Sequence, residues 1–310
     1  MTAAGRGCNL SPDPARQRKS RDNERRAVAM KVFDTHIHYP SEDFLGRPYM
    51  EKTGNHLYEI DRIAEQCSKN NIVKACLLGG AGEVNDWVLQ AHRNYSELFI
   101  PMAYIDMDSE NPEKVNDYCD MGFRGFKIIA TRKNYDHPDY FAFYEKMQSR
   151  RAVVLFHTGV LGGITDYLIN DPQKVSEKEL AFEKVLASFG TSSARMRSIY
   201  LDTIAMKFPE LRIIGAHLGY GEYDLSCAVA RWRRNVYFDI SGGDVVRRHL
   251  TERRYVGKEI SPKKLVFGSD CVTERIGSEV SLWLEQLEAL GLTQEEINRI
   301  MYENAAYLFS

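Results

Sequence analysis

Short apolar runs of strand length alternate with helical patterns along this 310-residue chain. The strand-like runs lie at residues 31–38, 72–78, 98–105, 125–129, 152–157, 211–217, 236–240 and 265–269. Continuous apolar strands separated by helices form a parallel sheet covered on both faces, and eight such units predict a single-domain (β/α)8 TIM barrel of the α/β class. A doubly wound open sheet is the alternative, but its glycine-rich nucleotide-binding fingerprints are missing from their expected positions.

The N-terminal segment differs in composition from the rest of the chain. Residues 1–29 contain seven Lys or Arg and three Asp or Glu with almost no apolar periodicity, which predicts a disordered extension. Residues 30–310 are predicted to form the barrel, with an extra helix at 295–309 that packs against it. The connection at 159–211 is long for a compact domain, which is typical of a lid or binding loop.

Composition and charge restrict the class of partner. The 41 Lys and Arg and 43 Asp and Glu leave a formal charge of −2, so there is no overall basic field for nucleic acid. We expect a small-molecule substrate and no membrane span, since no apolar run reaches about 18 residues. The six cysteines are scattered without a CxxC motif, which favours a reducing, cytoplasmic location. The sequence leaves open whether the chain forms a homo-oligomer.

Five residues able to bind a metal ion or carry a proton stand at the ends of predicted strands: His36, His38, His157, His217 and Asp270. The carboxyl ends of barrel strands meet at the catalytic mouth, so these side chains are expected to converge. The two-residue spacing of His36 and His38 places both rings on one face of a strand. Imidazoles with a carboxylate predict a divalent-ion site, most simply Zn²⁺ with an open position for water.

Four segments carry a resemblance to a known family: 34–38 (DTHIH), 155–159 (LFHTG), 215–219 (GAHLG) and 267–270 (FGSD). In this order they resemble the signatures of the amidohydrolase superfamily, in its amidohydrolase-related branch. The resemblance implies that His36, His38, His157 and Asp270 hold the metal. It also implies that His217 activates water or polarises the substrate in mononuclear relatives and binds a second ion in binuclear ones.

Lys127 ends the fourth predicted strand, where binuclear relatives place a carboxylated bridging lysine. Binding a substrate carboxylate or a buried structural role are the alternatives for this lysine. One metal ion is therefore expected, and two if Lys127 is carboxylated.

The resemblance implies hydrolysis of an amide, lactone or other ester through a metal-activated water, with Asp270 or His217 moving the proton. The same branch contains decarboxylases and hydratases, and hydrolysis is favoured because it is the broader expectation for the superfamily. Arg47, Arg195 and Arg197 are predicted to bind a substrate carboxylate, because guanidinium groups pair with carboxylates through two hydrogen bonds. A non-catalytic binding protein on a barrel is the minor alternative.

Overall fold

Eight parallel strands form one sheet in the computed structural model, which describes residues 30–40, 56–162, 168, 170–188 and 190–310. Each strand is hydrogen-bonded to the next along the chain, so the order is β1 to β8. The strands are β1 (Val32–His38), β2 (Ile72–Leu78), β3 (Phe99–Tyr104), β4 (Gly125–Ile128), β5 (Val153–Phe156), β6 (Arg212–Gly215), β7 (Val236–Asp239) and β8 (Leu265–Val266). The predicted TIM barrel is confirmed.

Backbone hydrogen bonds between the first strand and the segment after β8 close the barrel. The Thr35 N–H donates to the Phe267 carbonyl at 2.9 Å, and the Asp270 N–H donates to the His36 carbonyl at 2.8 Å. The strand predicted at 265–269 is thus only two residues long as β8, because the residues that follow bond to β1 instead of extending the β7 ladder.

Helices connect the strands and cover the outside of the sheet. They are α1 (His56–Lys69), α2 (Val84–Asn94), α3 (Lys114–Met121), α4 (Phe141–Ser149), α5 (Glu177–Ser188), α6 (Tyr200–Lys207), α7 (Tyr223–Trp232), α8 (Gly243–Glu252), α9 (Ile276–Ala289), α10 (Gln294–Asn298) and α11 (Asn304–Leu308). A short helical turn at Tyr255–Lys258 follows α8. No helix in the described part of the chain is long and apolar enough to cross a membrane.

Two further sequence predictions, both of helices, differ from the observed elements. The long connection between β5 and β6 contains α5, for which no helix was predicted, because its apolar residues form no clear stripe. The helix predicted at 295–309 is interrupted, since a π-helical turn, Arg299–Glu303, separates α10 from α11. The predicted extension at 1–29 lies outside the described residues.

The C-terminal segment packs at the end of the barrel opposite to the carboxyl ends of the strands. Phe309 stacks on Phe33 of β1 with ring centroids 5.4 Å apart, and Leu308 and Ala305 belong to the same buried cluster. A cavity of about 390 Å³ adjoins this packing. The barrel is therefore stabilised at one end and carries its polar side chains at the other.

Candidate active site

Six of the polar residues that sequence analysis selected lie at or just beyond the carboxyl ends of five strands. His36 and His38 belong to β1, Lys127 to β4, and His157, His217 and Asp270 follow β5, β6 and β8. Because these ends meet on one side of the barrel, side chains far apart in sequence come together.

Three of these side chains form a close group of ligand atoms. His36 Nε2 lies 3.2 Å from His38 Nε2, and Asp270 Oδ1 lies 3.7 Å and 3.5 Å from these two nitrogens. Two nitrogen ligands on one tetrahedral Zn²⁺, each bonded at about 2.0–2.1 Å, are separated by about 3.3 Å. The three atoms therefore fit the coordination of a single divalent ion.

His157 lies beside this group. Its Nε2 is buried without a hydrogen-bond partner, and its ring is 5.2 Å from the ring of His217, centroid to centroid. Burial holds the pKa of His157 well below its usual value, so the ring is neutral and keeps a lone pair. A buried, unpartnered imidazole nitrogen is costly unless something binds it, which fits a metal ligand. Its role as the fourth ligand stays a prediction.

Asp239, which sequence analysis did not select, orients one of the candidate ligands. Its Oδ2 lies 2.8 Å from His36 Nδ1. Burial acts to raise the pKa of Asp239, but the neighbouring His36 ring and its hydrogen bond outweigh burial and keep this pKa well below its usual value. The carboxylate therefore accepts the Nδ1 proton, which leaves His36 Nε2 with the lone pair that a metal ion requires.

Asp239, His36 and His217 form a second group whose ligand atoms are close enough to hold a metal ion. Its two oxygens are already taken by protein donors, however. Oδ1 accepts the backbone N–H of His217 at 2.8 Å and the N–H of Ser241 at 3.0 Å, while Oδ2 accepts from His36. Of the two groups, that of His36, His38 and Asp270 is therefore the better fit to a cation.

His217 lies two residues beyond β6 in a left-handed backbone conformation, with φ 60° and ψ 23°. This conformation ends the strand at Gly215, whereas the sequence predicted a strand to residue 217. A non-glycine residue in this region costs about 1–3 kcal/mol and persists where the surroundings hold it. The bond from its N–H to Asp239 provides that support.

Each nitrogen of the His217 ring has a polar neighbour. Nδ1 lies 2.8 Å from Ser241 Oγ, and Nε2 lies 3.8 Å from Asp270 Oδ2. Burial lowers the pKa of His217, so the ring is neutral near pH 7. For Asp270, burial acts to raise the pKa, but the neighbouring rings of His36 and His38 hold it well below its usual value. A neutral base and a carboxylate therefore face each other.

Lys127 reaches the same group from the fourth strand. Its Nζ lies 3.1 Å from His36 Nε2, and the side chain is almost completely buried. Burial lowers the pKa of Lys127 to about 8. A minor neutral fraction is therefore available near neutral pH, and the neutral amine is the form that reacts with CO₂. Carboxylation of Lys127 stays a prediction.

The predicted substrate arginines already have protein acceptors. Arg195 donates to Asn134 Oδ1 at 2.9 Å, and Arg197 forms an ion pair with Glu222, five residues after His217. Both guanidinium groups are exposed, and Arg47 lies outside the described residues. Binding of a substrate carboxylate by any of the three stays a prediction.

A second buried carboxylate missed by the sequence analysis connects β1 to the segment that carries Asp270. Asp34 Oδ1 accepts the N–H of His36 and the N–H of Ser269, each at 3.0 Å. Burial raises the pKa of Asp34 to about 6, against the opposing effect of these hydrogen bonds. Asp34 lies on β1 beside His36, and Asp239 is the last residue of β7, at the same end of the barrel as the site. These placements are the signal that could have identified them.

A parallel barrel with histidines and a carboxylate grouped at the carboxyl ends of its strands defines a metal-dependent TIM-barrel enzyme. The chain belongs to the amidohydrolase family, whose model matches residues 33–310. The resemblance seen in the four sequence segments is thereby confirmed. No curated protein matches the sequence.

Solved structures of similar fold include both hydrolases and decarboxylases. A probable 2-pyrone-4,6-dicarboxylic acid hydrolase from Acinetobacter baumannii is 14% identical, with a TM-score of 0.60 over 90% of this chain and 99% of that one. The 5-carboxyvanillate decarboxylase from Sphingomonas paucimobilis is 13% identical, with a TM-score of 0.60 over 90% and 99%. A 5-carboxyvanillate decarboxylase from Novosphingobium aromaticivorans, complexed with manganese, is 14% identical, with a TM-score of 0.59 over 91% and 96%. At these identities the likeness concerns the fold.

Proposed function

We propose that this protein is a metal-dependent hydrolase that cleaves a small, carboxylate-bearing amide, lactone or ester. The observation that carries the proposal is the grouping of three ligand atoms, from His36, His38 and Asp270, within 3.2–3.7 Å of one another beside the neutral base His217. Such a group combines a place for a cation with a side chain able to move a proton.

The metal would be held by His36, His38 and Asp270, with His157 as a fourth ligand. Imidazole and carboxylate ligands suit Zn²⁺, and Mn²⁺ is the alternative because a decarboxylase of similar fold carries it. When bound, a divalent ion supplies Lewis acidity that lowers the pKa of a water molecule and polarises a carbonyl.

His217 is proposed as the general acid and base. Its neutral ring accepts the proton of the attacking water and returns it to the leaving nitrogen or oxygen. Asp270 Oδ2, 3.8 Å from His217 Nε2, stabilises the imidazolium that forms in between. Asp270 is also the alternative base, since one of its oxygens faces His217 and the other faces the two histidines of β1.

Decarboxylation is the second candidate, and it is favoured by the decarboxylases among the structures of similar fold. A cation held by the same ligand group would then supply the positive charge that binds a substrate carboxylate, and His217 in its protonated form would deliver a proton to the carbon that loses CO₂. The two reactions differ in their products rather than in the residues that they require.

A substrate screen with two separate readouts tests the proposal. The metal-loaded protein is incubated with lactones, N-acyl compounds and unsaturated or aromatic carboxylic acids, while acid production and CO₂ release are followed independently. Acid without CO₂ supports hydrolysis, and CO₂ as the sole product would replace it with decarboxylation. Substitution Arg197→Ala should raise KM for carboxylate-bearing substrates more than for neutral analogues if that arginine leaves Glu222 to bind substrate.

Elemental analysis of the purified protein tests the metal assignment. About one ion per chain is expected from one group of ligands. A value near two that falls to one in Lys127→Met would indicate a carboxylated, bridging lysine, and no bound metal in the unmodified protein would contradict the proposed function.

A further inference from the structure

The loop after β7 contacts the proposed acid–base residue on the side away from Asp270. Ser241 follows Asp239 by two residues, so the two side chains point to the same side of the extended chain. Ser241 Oγ lies 2.5 Å from Asp239 Oδ1 and 2.8 Å from His217 Nδ1, with a longer contact of 3.3 Å to His36 Nδ1. Asp239, Ser241 and His217 therefore form a continuous chain of hydrogen bonds.

The direction of this chain follows from counting hydrogens. A serine hydroxyl has one hydrogen, and an ionised carboxylate only accepts, so Ser241 must donate to Asp239. The oxygen of Ser241 can then only accept from His217, which places the ring hydrogen of His217 on Nδ1. In a neutral imidazole the other nitrogen, Nε2, carries the lone pair.

Asp239 is buried and fully committed to donors. Its two oxygens accept from His36 Nδ1, from two backbone N–H groups and from the Ser241 hydroxyl. Three of these donors bond to Oδ1 and one, His36 Nδ1, bonds to Oδ2. In a reversed chain, in which Ser241 donates to His217, no hydrogen would lie between Ser241 Oγ and Asp239 Oδ1, two oxygens only 2.5 Å apart.

The backbone next to Ser241 is shaped to approach the ring. Gly242 has φ 104°, and a Cβ there would come within 2.6 Å of Val246 Cγ2 and 3.2 Å of His217 Nδ1. Only glycine combines this left-handed conformation with such a close approach. Ser241 is thus held against the ring edge in a site that is almost closed to solvent.

We propose that Ser241 and Asp239 are positioning residues that fix the ring tautomer of His217, with hydrogen on Nδ1 and a bare Nε2 facing Asp270. This inference rests on the proposed function for the role of His217 in catalysis, but the tautomer is a property of the protein without substrate. The opposite tautomer would present an N–H to Asp270 and could not accept a proton from water.

Nitrogen NMR of the full-length protein labelled with ¹⁵N-histidine measures the tautomer directly. The two ring nitrogens are distinguished by their shifts and couplings at a pH where the ring is neutral, and the His217 signals are assigned by their loss in His217→Gln. We expect hydrogen on Nδ1 of His217 in the unmodified protein. If the hydrogen lies on Nε2 in the unmodified protein, this measurement alone overturns the proposal.

Ser241→Ala should convert His217 to a mixture of tautomers or to the Nε2–H form. The matched control is Ser226→Ala, which removes another fully buried hydroxyl, one that bonds to Ser198 at 2.7 Å. A single Nδ1–H tautomer that persists in Ser241→Ala would overturn the proposal. Conversion of the His217 tautomer in Ser226→Ala to the same extent as in Ser241→Ala would also overturn it.

Kinetics then separate a positioning role from a structural one. With a substrate from the screen, Ser241→Ala should lower kcat about 10–100-fold while KM stays within about twofold and the metal content is unchanged. A loss of kcat no greater than in Ser226→Ala, or a loss of metal, would contradict the role proposed for Ser241. If no hydrolysis is found at all, the proposed function fails, whereas the NMR result still decides the tautomer.

Discussion

Replacing Asp239 by asparagine changes only one oxygen of the side chain, yet it should weaken metal binding at His36. The carboxylate accepts four donors, whereas an asparagine offers one oxygen and two N–H donors of its own. In either orientation of the introduced asparagine amide, its NH₂ group, which is a donor, faces another hydrogen-bond donor of the protein. Backbone N–H groups cannot reverse, so the amide nitrogen is expected to face His36 Nδ1, which can lose its hydrogen.

The consequence reaches the metal through the tautomer of His36. If Nδ1 accepts from the side-chain amide introduced by Asp239→Asn, the ring hydrogen moves to Nε2, the nitrogen that lies 3.2 Å from His38 Nε2. A protonated nitrogen does not bind a metal ion. Loss of such an orienting partner costs about 10–100-fold in metal affinity, which corresponds to about 1.4–2.7 kcal/mol.

A competition titration against a chelator of known affinity measures the effect. Asp117→Asn, on the exposed face of α3 beside Lys114, makes the same chemical change away from the site and should leave the affinity unaltered. An affinity of Asp239→Asn within twofold of the unmodified protein would refute the argument that Asp239 fixes the His36 ring.

Three further changes test other parts of the structure. His217→Asn should keep the metal, by elemental analysis, while lowering turnover about 10²–10⁴-fold, and loss of about half the metal would instead make His217 a ligand of a second ion. Lys264→Met should lower the free energy of unfolding, measured in urea, by about 1–3 kcal/mol, because the Lys264 ammonium donates to three backbone carbonyls around the start of β7 at 2.7–3.0 Å. The control Lys263→Met, at an exposed neighbouring position, should change this free energy little. Glu279→Gln should lower the free energy of unfolding by about 3 kcal/mol in the same assay, because the buried guanidinium of Arg247 loses its closest buried carboxylate, 2.5 Å away. An unchanged urea midpoint would show that this ion pair does not contribute to stability.

The barrel and most of the candidate ligands could be predicted from local patterns. Alternating strands and helices are set by the period of apolar residues, which is a property of neighbouring positions. Once the strands are parallel and consecutive, the placement of His36, His157 and Asp270 at their carboxyl ends follows from the fold. The tertiary structure was needed only to show how closely these side chains approach.

The boundaries that differ from prediction depend on contacts between distant segments. β8 ends at Val266 because the next residues bond to β1, and β6 ends at Gly215 because His217 takes a positive φ held by Asp239. Local apolar patterns carry no information on either partner.

Sequence patterns were sufficient to predict the architecture, the family resemblance and the strand-end histidines and Asp270 at the mouth of the barrel. The pairing of each supporting carboxylate with its partner, in contrast, became visible only in three dimensions. Asp239 lies 203 positions from His36 along the chain, and Asp34 lies 235 positions from Ser269. Hydrogen bonds of this kind depend on the direction and spacing of side chains on different strands, to within a few tenths of an ångström. Closure of the barrel sets those distances, and no periodicity in the sequence does.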